Sequence, residues 1–176
     1  QDGAFIKCTN YDCSAQSIGR ILQFCSKDCM DIRNIGDRVV EDLVLFGIIE
    51  NISDLYALKA RYTIEELVDI LGDGYGSKSI EKMLASIELS KEKTFANVIA
   101  GLSIPNVGKV VARQLSKEFK NIDNLIDCTY DRLISLDGIG EVMANDICWW
   151  FSSPQNIEMC NKLKEYGLKM SIENDN

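Results

Sequence analysis

Four places along the chain carry one tripeptide pattern, Gly or Asn, then an apolar residue, then Gly. They are Asn34-Ile35-Gly36, Gly74-Tyr75-Gly76, Asn106-Val107-Gly108 and Gly138-Ile139-Gly140. From Gly36 to Gly76 is 40 residues; from Gly76 to Gly108 and from Gly108 to Gly140 is 32 each. Four residues beyond each second glycine stand Val40, Ile80, Ala112 and Ala144, and seven beyond stand Leu43, Met83, Leu115 and Ile147. Apolar positions at that spacing share one side of an α-helix, so each glycine is predicted to start a helix with that side buried. Four residues upstream, Ile32, Ile104 and Leu136 supply a matching apolar anchor. Gly72 stands there in the second copy, whose first helix is expected to be less regular.

The residue choice has a physical reason. A tight turn between helices needs a positive φ, which Gly adopts freely and Asn tolerates best among the rest. The central apolar residue can turn back into the core while its neighbours leave N–H groups facing out. The helix that follows opens with unpaired donors and a partial positive charge, which suits an anion. A single Gly-x-Gly is equally compatible with an ordinary helix–turn–helix corner. Four copies with the same downstream face favour phosphate contact.

The connecting segments also have helical spacing: residues 54–58, 64–70 and 130–134 are short and amphipathic. Ser53, Thr63 and Thr129 are candidate N-caps, and Thr63 with Glu66 fits a capping box. The run from Ser79 to Ile99 mixes Lys and Glu with apolar residues and links the first two hairpins to the second two. Strand-like alternation is scarce. The expected architecture is all-α, four hairpins in two similar pairs over residues 17–170, with a short segment 1–16 before and a tail 171–176 after.

Composition changes this picture in two ways. Hydrophobic residues make up 46% of 176, enough for a real core, and no run approaches the ~20 apolar residues of a membrane span. The formal charge of −8, from Lys+Arg 19 and Asp+Glu 27, opposes a binder that relies on a broad basic face. Charge at each hairpin is more telling. Arg33 and Arg38 flank the first, Lys78 the second, and Lys109 and Arg113 the third, whereas Asp137, Glu141 and Asp146 surround the fourth. The first three are expected to hold phosphate better than the fourth. With no signal-peptide pattern, a cytoplasmic setting is expected. The chain opens on Gln1 rather than Met, which suggests a segment of a longer protein.

Histidine is absent, which excludes His-based acid–base chemistry and His metal ligands. Seven cysteines without a secretory signal do not suggest a disulfide framework. Cys8, Cys13, Cys25 and Cys29 can be spelled as a four-thiolate zinc site. Against that, Ile18, Ile21, Leu22, Cys25 and Cys29 fall on one helical face, so the latter two read as small core residues. Cys128, Cys148 and Cys160 read as buried thiols.

With these features in view, the chain resembles the helix-hairpin-helix domain of bacterial-type NAD-dependent DNA ligases. Residues 24–32, Phe-Cys-Ser-Lys-Asp-Cys-Met-Asp-Ile, and 91–96, Lys-Glu-Lys-Thr-Phe-Ala, look like family signatures. Residues 4–16 resemble the second half of that family's four-cysteine zinc finger, which makes Cys8 and Cys13 two of its zinc ligands. The resemblance implies a C-terminal fragment of an enzyme that uses NAD to seal nicks in replication and repair. This piece would help encircle duplex DNA from the minor-groove side, as a monomer beside the parent's other domains. The family's nucleophilic lysine lies in Lys-x-Asp-Gly. Asp73-Gly74 and Asp137-Gly138 are preceded at the lysine position by Leu71 and Ser135, so the fragment is expected to be non-catalytic. The contact residues so implied are the four tripeptides together with Arg38, Lys78, Lys109 and Arg113. Two other readings stay open: a hairpin module of another repair or recombination protein, and an acidic helical protein-interaction domain.

Overall fold

The computed structural model describes residues 10–175, and the side chains of residues 14–173. Eleven α-helices run through the described residues, with short 3-10 turns between some of them. They are α1 (Asn10–Cys25), α2 (Asp37–Leu45), α3 (Leu58–Arg61), α4 (Ile64–Leu71), α5 (Ser77–Leu89) and α6 (Phe95–Gly101). The second half adds α7 (Lys109–Phe119), α8 (Ile122–Ile126), α9 (Tyr130–Ile134), α10 (Glu141–Phe151) and α11 (Pro154–Glu165). The all-α expectation holds, the nearest thing to a strand among the described residues being an isolated bridge between Asn121 and Ser171. No described helix is long and apolar enough to cross a membrane.

Local sequence explains where most helices begin. Thr63 and Glu66 form the expected reciprocal box, Thr63 Oγ1 accepting from the Glu66 N–H at 3.1 Å and Glu66 Oε1 from the Thr63 N–H at 2.9 Å. Thr129 caps α9 by accepting from the Arg132 N–H. The expected cap at Ser53 is displaced to Asn51, whose Oδ1 accepts from both the N–H and the hydroxyl of Ser53. Ser53 is instead buried, and an Asn carboxamide reaches the first turn more easily than a hydroxyl already inside it.

The run from Ser79 to Ile99 is not continuous. It breaks after Leu89 into a 3-10 turn, Ser90–Glu92, and restarts as α6 behind a Thr94 cap. The break follows from Ser90, whose buried hydroxyl donates to the Ile87 carbonyl at 2.6 Å and pairs with the Tyr56 hydroxyl at 2.7 Å. α1 likewise ends earlier than its apolar spacing suggests. It stops at Cys25, and the Met30 N–H then bonds to the Phe24 carbonyl and the Ile32 N–H to the Cys25 carbonyl. Cys29 is buried as expected, but it enters the core from this turn and not from the helix face. The boundary expected between residues 16 and 17 falls within α1.

One buried apolar cluster runs through both halves of the chain, with Phe24, Phe95 and Phe119 among its largest fully buried side chains. The predicted hairpin positions all contribute: Val40, Leu43, Ile80, Met83, Ala112, Leu115, Ala144 and Ile147 are buried. The chain end is also tied down. The Ile122 N–H bonds to the Met170 carbonyl and the Ile172 N–H to the Lys120 carbonyl, both at 2.9 Å.

Burial pushes the Cys25 and Cys160 thiols from 9.0 up to about 12. Cys128 rises to about 12 through burial and its neighbour Cys148. An unfolded chain releases these protons near 9 and the folded chain only near 12. Below pH ~9 both states hold the protons and the stabilisation is complete; above it the unfolded state gains by ionising. The urea midpoint is therefore expected to fall between about pH 9 and 11, and to fall less in Cys160→Ala. An identical pH profile for the two proteins would contradict this assignment.

Candidate nucleic-acid interface

The four tripeptides adopt one backbone shape. The first residue is left-handed in every case: Asn34 at φ 63°, Gly74 at 97°, Asn106 at 66° and Gly138 at 82°. The central residue turns inward, Val107 and Ile139 buried, Ile35 and Tyr75 half-buried. The second glycine is the N-cap of the next helix, with φ between −93° and −111°. Its carbonyl accepts the first helical bond, from Val40, Ile80, Ala112 or Ala144. The +4 position is therefore fixed by both a hydrogen bond and burial.

The inward turn extends to the backbone. The central N–H does not face outward in three of the turns, because Tyr75, Val107 and Ile139 donate to the carbonyls of Gly72, Ile104 and Leu136. The open donors begin one residue later. The N–H groups of Gly36, Asp37 and Arg38 find no acceptor among the described residues, nor do those of Gly108, Lys109 and Val110, or of Gly140, Glu141 and Val142. In the second turn Gly76 donates weakly to Ser79 Oγ at 3.3 Å, leaving Ser77 and Lys78 open.

The α-helices that begin after the other described loops are capped by side chains instead, α3 and the Ser90–Glu92 turn being direct continuations of the elements before them. Asn51, Thr63, Thr94, Asn121, Thr129 and Ser153 each cap the helix or 3-10 turn they precede with a side-chain oxygen. No side chain caps α2, α5, α7 or α10 from the N-cap position. The second glycines are not required by backbone or packing either. Their φ suits any L residue, and a Cβ added at Gly36, Gly76, Gly108 or Gly140 meets nothing within 4 Å. Glycine there keeps the helix start bare.

The turns are bound together in pairs by side chains that sequence spacing did not reveal. Asn34 donates to Ser86 Oγ of α5 at 3.1 Å, and Asn106 donates to Asp146 of α10. In the opposite direction Arg38 of α2 reaches the Asp73 carbonyl at 3.4 Å, and Gln114 of α7 reaches the Asp137 carbonyl at 2.7 Å. Each odd turn thus gives its Asn side chain to the even helix, and each even turn gives a carbonyl to the odd helix. A second left-handed residue lies five positions before each odd glycine, Asp31 at 47° and Ser103 at 63°. The signal was present in sequence as Ile-x-Asn-apolar-Gly in the odd copies and Asp-Gly-apolar-Gly in the even ones.

The cations near the turns are unequally free. Arg38 is 73% exposed, yet it also lies 3.9 Å from Asp42 and over the Tyr75 ring, whose hydroxyl donates to Asp42 at 2.6 Å. Arg33 pairs with Asp31 at 3.6 Å, and Lys109 lies 3.9 Å from Asp28. Lys78 and Arg113 are exposed without a carboxylate partner among the described residues. At the fourth turn Asp137 and Glu141 are exposed, while Asp146 is occupied by Asn106.

Cys8 lies outside the described residues, and of Cys13 only the backbone, within α1, is described. Among the described residues no group of three or more Cys, Asp or Glu is placed to hold a metal ion.

Bare helix starts behind left-handed turns define a class, and the chain carries a helix-hairpin-helix domain: residues 97–160, spanning the third and fourth turns, match the family of the helix-hairpin-helix motif. Nearly its whole length is similar to bacterial DNA ligases. It is 38% identical to the DNA ligase of Coprothermobacter proteolyticus over 98% of this chain and 25% of that one. It is 38% identical to the DNA ligase of Fusobacterium nucleatum over 96% of the chain and 24% of that protein. For the DNA ligase of Clostridium kluyveri the figures are 41%, 95% and 25%. The chain therefore spans about a quarter of the length of these curated relatives, and the helix-hairpin-helix match falls within the span it shares with them.

Proposed function

We propose that this chain holds the sugar–phosphate backbone of nicked duplex DNA, from the minor-groove side, on behalf of an NAD-dependent ligase. The observation that carries the reading is the contrast in capping: four helix starts left bare behind glycine, in a chain that caps six others with side chains. Bare first-turn N–H groups with the positive end of a helix dipole form an anion site. Such contacts position a protein on DNA without reading its sequence, which suits a ligase that must act at any nick. Lys78, Lys109, Arg113 and Arg38 add cationic contacts at three of the four turns, so a net charge of −8 is compatible with binding.

Nick sealing, in replication and repair, belongs to the longer protein. By resemblance its adenylation uses NAD at a Lys-x-Asp-Gly motif that is absent from this sequence. Cys8 and Cys13 are assigned as two ligands of a zinc finger by the same resemblance. The protein is placed in the cytoplasm, as a monomer working with the other domains of its ligase.

The test is the salt dependence of binding to a nicked duplex. With four cations assigned to phosphate, Arg38, Lys78, Lys109 and Arg113, the slope of log K against log salt is expected to be no steeper than about −4. A slope of about −6 or steeper would show that massed cation–phosphate pairs, rather than backbone N–H groups, carry the affinity.

A further inference from the structure

The position two residues beyond each second glycine divides the four turns into two kinds. In the first pair it holds Arg38 and Lys78; in the second pair it holds Val110 and Val142. Both valines stand in the first turn of their helix, on the residue that supplies one of the open N–H donors. Both are bare, 74% and 71% exposed, the former the most exposed large apolar side chain in the described protein. Neither belongs to the buried +4/+7 face of its helix. A single exposed valine needs no explanation, but the same exposure at the same register of two related turns does.

We propose that Val110 and Val142 pack against deoxyribose rings of the duplex held by the third and fourth turns. This rests on the backbone-binding reading above. A phosphate seated on the N–H groups of Gly108, Lys109 and Val110 brings its own sugar beside the Val110 side chain, and the sugar is the apolar part of the DNA backbone. Lys109 and Arg113 flank Val110 with charge complementary to the adjoining phosphates. At the fourth turn Asp137 and Glu141 oppose any gain from charge, so apolar contact is what Val142 adds to the bare N–H groups. At this register the two pairs then hold the duplex by different means, the first with a cation and the second with a sugar contact. The fourth turn, which charge alone would leave idle, becomes a contact point.

The experiment is nicked-duplex affinity of the 176-residue chain across a range of salt, with hydroxyl-radical footprinting of the sugars. Val110→Thr with Val142→Thr keeps shape and replaces one methyl by hydroxyl at each site. It is expected to weaken binding by roughly 10-fold while leaving the salt slope unchanged and removing sugar protection at the sites held by the second pair. Val110→Ile with Val142→Ile should bind as well as the parent chain or better. Affinity of the threonine variant within about twofold of the parent, or a loss with a shallower salt slope, overturns the proposal and leaves the backbone reading standing. A parent chain that does not bind nicked duplex at all overturns both.

Discussion

Gly76→Val combined with Gly108→Val is expected to lower nicked-duplex affinity by about 100-fold while leaving the fold intact. Hydrogen bonds to a charged acceptor are worth about 1.5–3 kcal/mol each, so closing one helix start costs roughly tenfold or more in affinity. The isopropyl group acts by occupying the space into which a phosphate must come. Inside the protein it displaces nothing: no atom lies within 4 Å of the added Cβ at either position. Both residues have φ near −100°, which valine adopts without strain. Valine is a poorer N-cap than glycine, which costs about 0.5–1 kcal/mol of stability per site. Circular dichroism should therefore match the parent and the melting temperature fall by only about 2–8 °C, while fluorescence anisotropy on nicked duplex shows the loss. Unchanged affinity would instead favour the acidic protein-interaction domain. The same substitution at Gly74 or Gly138 is no substitute for this experiment, because their φ of 97° and 82° places a valine in a strained conformation and acts on the fold itself.

Phe24→Ala carries the largest expected effect on stability, a loss of about 3–5 kcal/mol in urea denaturation. The ring is fully buried in α1 and meets Tyr56 edge-on, with centroids 6.2 Å apart and planes at 85°. It also lies directly on the backbone of α6. A Cβ added to Gly101 would stand 2.8 Å from Phe24 Cδ1 and 3.5 Å from Cys29 Cβ. Glycine at this position is thus a packing requirement, in contrast to the glycines of the turns. Gly101→Ala alone is expected to cost about 1–3 kcal/mol by overpacking. The double variant should be less destabilised than the two losses added, since the new methyl enters the space the ring has left. Losses that add to within ~0.5 kcal/mol would show that the two positions do not share that space.

What sequence reading recovered is what local chemistry dictates. A left-handed φ admits few residue types, so Asn34, Gly74, Asn106 and Gly138 mark their turns at sight. The +4 and +7 positions are legible because helical periodicity leaves them one side to face. The Thr63 box is legible because both partners lie within four residues. Reading fails where the partner is distant. Nothing near Asn34 or Asn106 points to Ser86 or Asp146, 52 and 40 residues away, so both looked available for DNA when their side chains are engaged within the protein. Cys29 kept helical spacing after the helix had ended, because a turn closing on Phe24 and Cys25 happens to return it to the same core. Val110 and Val142 went unmarked, because they lie off the buried +4 and +7 side of their helices. Their recurrence at one register was the signal.

The crossed bonds from Asn34 to Ser86 and Arg38 to Asp73, and from Asn106 to Asp146 and Gln114 to Asp137, have an implication for how such a chain can be divided. Each odd turn completes its hydrogen bonding on the even helix, and each even turn presents a carbonyl to the odd helix. Cutting between the two members of a pair breaks both bonds and hands these exposed groups to water. Cutting between the pairs, near residue 93, severs neither set. The unit of hydrogen bonding at the turns is therefore a couple of hairpins, whereas the unit of packing is larger, since one apolar core joins the two pairs and Phe24 of the first half lies on α6 of the second.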